Sequence, residues 1–216
     1  MASITAIVPS VRKAGRFDVL VDGRHEATVS LEIIERMGLA AGRAYDALRA
    51  DVEREAALLA TYDRALNMLA LRARSARELR RQLVKKGEPA DRVDAAIARL
   101  VAAGLLDDAA FARQFARSKA TGAGMSRRRI QQELARRGVA RDVGDGAIAD
   151  VFAEEALDEG AVVEQAARKK LRSLKNLDAE TRNRRLYAFL ARRGYDLDDI
   201  RHAIRAVAAS DIDPDE

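Results

Sequence analysis

The sequence predicts a mostly α-helical protein, built from tandem three-helix repeats and preceded by a small N-terminal β-hairpin module. Three observations predict it. First, one nine-residue pattern occurs over residues 79–87, 130–138 and 186–194, with an apolar residue eight before the closing Gly, a Leu four before it and two cations directly before it. Apolar side chains four apart share a helical face, cations suit a last turn, and Gly past the end is the usual left-handed stop. Second, the match runs on past the Gly. Val93, Ile97 and Leu100 follow Gly87 at the same offsets at which Ile200, Ile204 and Val207 follow Gly194. After Gly138, Ile148 and Val151 keep the later two offsets, but Gly144 takes the first and Val143 stands one place early. Third, the closing glycines lie 51 and then 56 residues apart, a spacing that marks repeat architectures. A unit this small cannot bury its apolar stripe alone, so neighbours pack on one another.

The elements follow in order. Residues 4–8 form a short strand closed by Pro9. Phe17, Val19 and Val21 alternate along a second strand, Asp22-Gly23 is a hairpin turn, and Ala27 to Val29 pair back. Ser30 caps a short helix, Leu31 to Met37, that Gly38 ends. A longer helix starts near Asp51 and runs through Leu58, Leu59, Leu66 and Leu69 to about Ala73, in one piece or two. Ser75-Ala76-Arg77-Glu78 is a capping box. Asp91 caps the next helix, which Gly104 ends, and Asp107 or Asp108 opens the second repeat. There, Phe111 and Phe115 mark an apolar face, residues 121–124 are a loop, Ser126 caps the patterned helix and Asp142 opens the third. Gly144 and Gly146 each cost that helix about 1 kcal/mol relative to Ala, so it is expected to be short or to start late. The third repeat begins near Asp158 with Val162, Val163, Ala166 and Ala167 on one face. Asp178 or Thr181 caps its patterned helix, and a residue from Asp196 to Asp199 caps its last, which runs to about Ala209. The expected organisation is a β-rich module over 1–50, repeats over 51–107 (with a lead-in helix), 108–157 and 158–210, and a frayed acidic tail over 211–216.

Composition narrows the function. With no Trp and 4% aromatics, the core must be built from Leu, Ile, Val and Ala, and few rings are available to stack bases. The absence of Cys excludes disulfides, thiol catalysis and Cys-ligated zinc. Neither a signal-peptide core nor a membrane-length apolar run is visible, so a cytoplasmic protein without membrane contact is expected. No phosphate-binding Gly-Lys loop is present, and Gly122-Ala123-Gly124 reads as a linker. His25 and His202 stand far apart, and Asp107-Asp108 is better explained by capping than by catalysis. No cofactor, metal site or catalytic residue is expected, and the chain does not read as an enzyme.

Charge carries the remaining signal. The net charge is +5, but residues 1–61 hold 8 Lys/Arg against 9 Asp/Glu, while residues 62–210 hold 31 against 21. The repeats are thus the basic part and suit an acidic partner. The candidate binding residues are Arg72, Arg74, Arg77, Arg80, Arg81 and Lys85 in the first repeat and Arg127, Arg128 and Arg129 in the second. The third adds Arg168, Lys169, Lys170, Arg172, Arg184 and Arg185. Arg77, Arg80, Arg81 and Lys85 recur at helical steps on one broad side. Arg127 to Arg129 fall in a first turn, where cations oppose the helix dipole, a placement that hints at a role. The pairs Lys85-Lys86, Arg136-Arg137 and Arg192-Arg193 precede stop glycines and are explained by helix-end electrostatics alone.

These residues resemble a known family. The run from Leu66 to Leu79, the run from Gly104 to Ala112 and the run from Leu190 to Tyr195 are similar to segments of RecX proteins, and Phe17 to Gly38 resembles the N-terminal extension of some members. The resemblance covers nearly the whole chain. It implies tandem three-helix repeats in a curved, elongated array. It also implies a non-enzymatic regulator of the RecA recombinase that lies along the RecA–single-stranded-DNA filament. There it would block growth or promote disassembly, so that strand exchange, ATP hydrolysis and co-protease activity fall; homologous recombination, DNA repair and the SOS response are the processes concerned. A monomer that contacts the RecA filament, single-stranded DNA and also duplex DNA is the expectation. The alternative is a general DNA-binding helical repeat protein without a dedicated protein partner, with Arg127 to Arg129 opening a recognition helix.

Overall fold

A computed structural model describes residues 1–210; the expected acidic tail, 211–216, lies outside the described residues. The predicted fold class holds: a small antiparallel sheet is followed by a chain of helices. The elements are β1 (Ile4–Pro9), β2 (Phe17–Val21), β3 (Arg24–Val29), α1 (Leu31–Met37), α2 (Arg49–Leu71), α3 (Ala76–Lys85), α4 (Ala90–Ala102) and α5 (Asp108–Arg117). After a π-helical turn, Ser118–Gly122, come α6 (Arg127–Arg137), α7 (Arg141–Glu154), α8 (Glu159–Arg172), α9 (Ala179–Arg192) and α10 (Leu197–Ser210). They form two compact units: Met1–Ala73 with Leu79–Leu106, and Arg74–Glu78 with the chain from Asp107 onward.

In the first unit the expected hairpin is β2–β3, joined through Asp22 and Gly23, both at positive φ, the pair a two-residue hairpin turn needs. β1 pairs with β2, so the hairpin becomes a three-stranded meander, with Pro9 opposite Phe17. Val19, Val21, Ala27 and Val29 are buried with Ile33, Tyr45, Val52 and Leu59, so the sheet shares a core with α1 and α2. Ser30 caps α1 and Gly38 stops it in the left-handed conformation, as the sequence predicts. Beyond, α2 is one unbroken helix of 23 residues. It stops at Leu71, two residues early, because Arg72 turns extended. α4 starts after Pro89, not at Asp91, which instead sits in the first turn and favours the dipole there. Leu79, Leu83, Val93, Ala96 and Leu100 are all buried, the repeated apolar positions among them.

In the second unit Phe111, Ile130, Leu134, Ile148, Val151 and Phe152 share one core across α5, α6 and α7. Val163, Leu186, Leu190, Ile200 and Val207 share another across α8, α9 and α10. α7 corrects the expectation of a short or late helix: it starts at Arg141, before Asp142, and runs 14 residues. The physical reason is packing. Gly144 is buried beneath the Gln131 side chain, whose amide donates to the Arg141 carbonyl at 3.2 Å. Ala147, Ile148, Val151 and Phe152 of α7 are buried in the shared core, and that packing holds the helix despite its two glycines. The expected loop over 121–124 is in part helical, since Gly122 closes the π-helical turn.

Candidate polyanion-binding surface

The patterned helices meet the next repeat through one recurring junction. Ser75 Oγ accepts from the Glu78 N–H at 3.1 Å and donates to the Arg137 carbonyl, while the Ala76 N–H donates to Asp108 at 2.7 Å. Asp107 caps α5 itself, so the acidic pair that opens α5 serves two helix starts. Fifty-one residues on, the arrangement returns. Ser126 Oγ accepts from the Arg129 N–H at 3.2 Å, the Ser126 N–H donates to the Arg193 carbonyl at 3.0 Å, and the Arg127 N–H donates to Glu159 at 3.0 Å. The stop glycines make room for these helix starts. A Cβ on Gly138 would collide with the Arg77 side chain, and one on Gly194 would stand 2.5 Å from Arg129 Cβ. Each start thus satisfies orphan N–H groups with acceptors from another repeat.

The two junctions differ in charge. Arg137 packs on the Phe115 ring, 4.8 Å from its centroid, and pairs with Glu78 at 3.3 Å; Arg74 also pairs with Glu78, at 3.3 Å. The counterpart of Arg137 is Arg193, which stacks 3.6 Å from the Phe189 centroid and donates from Nε to the Ala123 carbonyl at 2.6 Å. The position equivalent to Glu78 is Arg129, which turns to Glu133 in its own helix at 2.7 Å. No carboxylate among the described residues pairs with Arg193, and burial holds its guanidinium pKa below the ordinary value, with Arg192 adding to the effect.

Arg193 forms one wall of a cleft of about 580 Å³. Residues 121–124 and Phe189 line it, and α8 contributes Arg168, Lys169, Lys170 and Arg172. Among the lining residues none is acidic. Arg168 pairs with Glu164 at 3.1 Å, and Lys170 lies 5.6 Å from the Phe189 centroid. Lys169 and Arg172 are exposed and make no ion pair among the described residues.

The structure gathers only some of the sequence-predicted residues. Arg168, Lys169, Lys170 and Arg172 converge on this cleft, whereas Arg184 and Arg185 are exposed on α9 and do not line it. Arg127 to Arg129 are drawn to separate partners. Arg127 sits 4.1 Å from the Phe152 centroid beside Glu159, Arg128 donates to the Gly194 carbonyl at 3.0 Å, and Arg129 holds Glu133. The unfavourable first-turn placement is therefore accounted for by packing. In the first repeat Arg80 holds Asp94 through two bonds of 2.6 and 3.0 Å, Arg74 is engaged by Glu78, and Arg77 covers Gly138. Arg72, Arg81 and Lys85 are exposed. Sequence reasoning assigned Arg193 to helix-end electrostatics and residues 121–124 to a linker. The available signal was the aligned pattern, in which Glu78 is replaced by Arg129.

Models of the three RecX three-helix domains match residues 62–100, 107–148 and 158–204 in the order first, second, third. The regulatory protein RecX of Pelodictyon phaeoclathratiforme is 36% identical over 152 residues, spanning 70% of this chain and 91% of that protein. The chain belongs to the RecX family. The regulatory protein RecX of Levilactobacillus brevis is 30% identical across 100% of this chain and 79% of its own length. A crystal structure of a regulatory protein RecX superimposes with a TM-score of 0.71 at 20% identity, over 97% of this chain and 100% of that one. RecX from Lactobacillus salivarius gives 0.56 at 17% identity, over 71% and 97%. The regulatory role of RecX proteins is thus the frame for the basic residues, and no described helix is long and apolar enough to cross a membrane.

Proposed function

We propose that this RecX protein binds the RecA–single-stranded-DNA filament and inhibits its recombinase, ATPase and co-protease activities, without catalysis of its own. The observation that supports this most is family membership across all three repeats, each carrying its patterned helix. Chained repeats present cations at intervals, so contacts to successive filament subunits or phosphates add through effective concentration. Of the basic residues named above, the exposed Arg81 and Lys85 of the first repeat and Arg168, Lys169, Lys170, Arg172, Arg184 and Arg185 of the third are the contacts we propose, within repeats bounded near residues 51–107, 108–157 and 158–210. The protein acts as a monomer in the cytoplasm.

The alternative, a general DNA-binding protein, is less well supported. Its recognition helix would be α6, yet the first turn of α6 is docked on Arg193 and Glu159 and its three arginines have partners inside the protein.

The deciding experiment is RecA ATP hydrolysis on single-stranded DNA during titration with this protein, beside a DNA-binding titration at the same salt. A filament regulator inhibits at concentrations that leave the DNA largely unoccupied. Inhibition that only tracks DNA occupancy would reject the filament as target in favour of competition.

A further inference from the structure

The cleft beside α8 has a feature that family membership does not explain. At the two junctions, the half-buried Arg137 and Arg129 each have a carboxylate, Glu78 and Glu133. Arg193 is also stacked on a ring, that of Phe189 in the helix it closes, but has no carboxylate among the described residues. Its orientation is fixed from two sides, by the Phe189 ring and the Ala123 carbonyl. A desolvated cation without a counter-ion is unfavourable, and here four further cations converge on the same space with no acid in the lining. An anion with several charges along its length satisfies all of them. The lining has one aromatic ring, Phe189, and that ring is already covered by Arg193 and lies near Lys170. Base stacking is therefore not offered, while backbone phosphates are.

We propose that this cleft holds the phosphodiester backbone of a single-stranded nucleic acid, with Arg193 as a fixed anchor and Lys169, Arg172, Lys170 and Arg168 lining the strand's path. Recognition is independent of base sequence. The assignment deepens the filament reading and rests on it for the strand's place in the complex. Its test is run without recombinase, so that the two can fail separately.

The test uses the full chain and a labelled oligothymidylate, with anisotropy measured across a salt series. Lys169→Ala with Arg172→Ala removes two exposed charges that make no ion pair among the described residues, and thermal melting checks that the variant is intact. Arg12→Ala with Arg24→Ala removes two exposed charges from the N-terminal module as a control. The cleft variant is expected to bind on the order of 10-fold more weakly near 0.1 M salt, with a salt slope flatter by about 1.4 for two lost phosphate contacts. The control is expected to keep the parent slope. Equal losses in both variants, or none in the cleft variant, would overturn the assignment. So would displacement of the strand by ATP at concentrations near that of the protein, which would give the cleft to a free nucleotide. In a separate titration with recombinase added, a cleft variant that keeps strand affinity but loses affinity for the assembled filament would overturn the assignment and give the cleft to an acidic protein surface.

Discussion

The Glu78 carboxylate lies 3.3 Å from the Arg137 guanidinium, with only 5% of the Glu78 side chain exposed. Arg74 reaches the same carboxylate from one turn away, so a single buried acid holds two arginines from different repeats. Glu78→Ala leaves both cations without that acid in a poorly solvated site. Removing one partner of a buried pair costs far more than the pair is worth against an apolar replacement, and about 3 kcal/mol of stability is the expected loss. Urea denaturation followed by circular dichroism measures it. A loss below about 1 kcal/mol would mean that water reaches the site.

The three stop glycines separate conformation from packing. Gly87 and Gly194 both have φ near +90°, but a Cβ on Gly87 meets nothing within 4 Å, while one on Gly194 meets Arg129 Cβ and Ser126 Oγ. Gly87→Ala is expected to cost only the left-handed strain, about 1–2 kcal/mol. Gly194→Ala adds displacement of the α6 start and should cost on the order of 3 kcal/mol or more. Equal melting temperatures for the two variants would contradict the docking role of Gly194.

What the sequence made legible follows from how local each signal is. Ser30 and Gly38, Asp22-Gly23, Ser126 and Asp178 announce their elements because each acts on backbone groups within a few residues. The apolar positions around each repeated Gly were readable for the same reason. The sequence offers Asp107 or Asp108 as the cap of α5; Asp107 is that cap, whereas Asp108 accepts from the Ala76 N–H, 32 residues away. The candidate surface was less legible still. Whether an arginine is available depends on which carboxylate reaches it, and Asp94 beside Arg80 or Glu154 beside Arg117 comes from another helix. Arg193 was hidden because a cation before a stop Gly has a sufficient local explanation.

Tyr195 gives the second junction a pH dependence. Its ring is buried, its hydroxyl donates to the Gly124 carbonyl at 3.2 Å, and burial pushes its pKa above the ordinary 10.0, with Glu159 adding to the rise. The folded pKa exceeds the unfolded one, so the neutral phenol's contribution is complete below pH 10 and is lost as pH rises toward the folded value. Tyr195→Phe is expected to cost about 1 kcal/mol at pH 8 through the lost hydrogen bond, and to narrow its deficit against the parent above pH 10. Urea midpoints at the two pH values test this, and a deficit that stays constant would show that the phenol ionises freely in the fold.

On α3, neighbouring arginines make opposite predictions. Arg80 is held by Asp94 through two hydrogen bonds, which raise its own pKa and hold the Asp94 carboxylate below its usual value. A charge already neutralised by a rigid partner offers little to a phosphate or an acidic patch. Arg81 and Lys85 are exposed and make no ion pair among the described residues. If the first-repeat cations contact the filament, Arg81→Glu with Lys85→Glu should raise the concentration needed to inhibit RecA ATP hydrolysis by about 10-fold or more, since charge reversal adds repulsion to lost attraction. Arg80→Ala combined with Asp94→Ala, which removes the ion pair and leaves the net charge unchanged, should change it little, and its effect on stability should be the small one of an exposed pair. Inhibition unchanged in the folded Arg81→Glu, Lys85→Glu variant would remove this face of α3 from the interface and leave the α8 cleft as the principal contact.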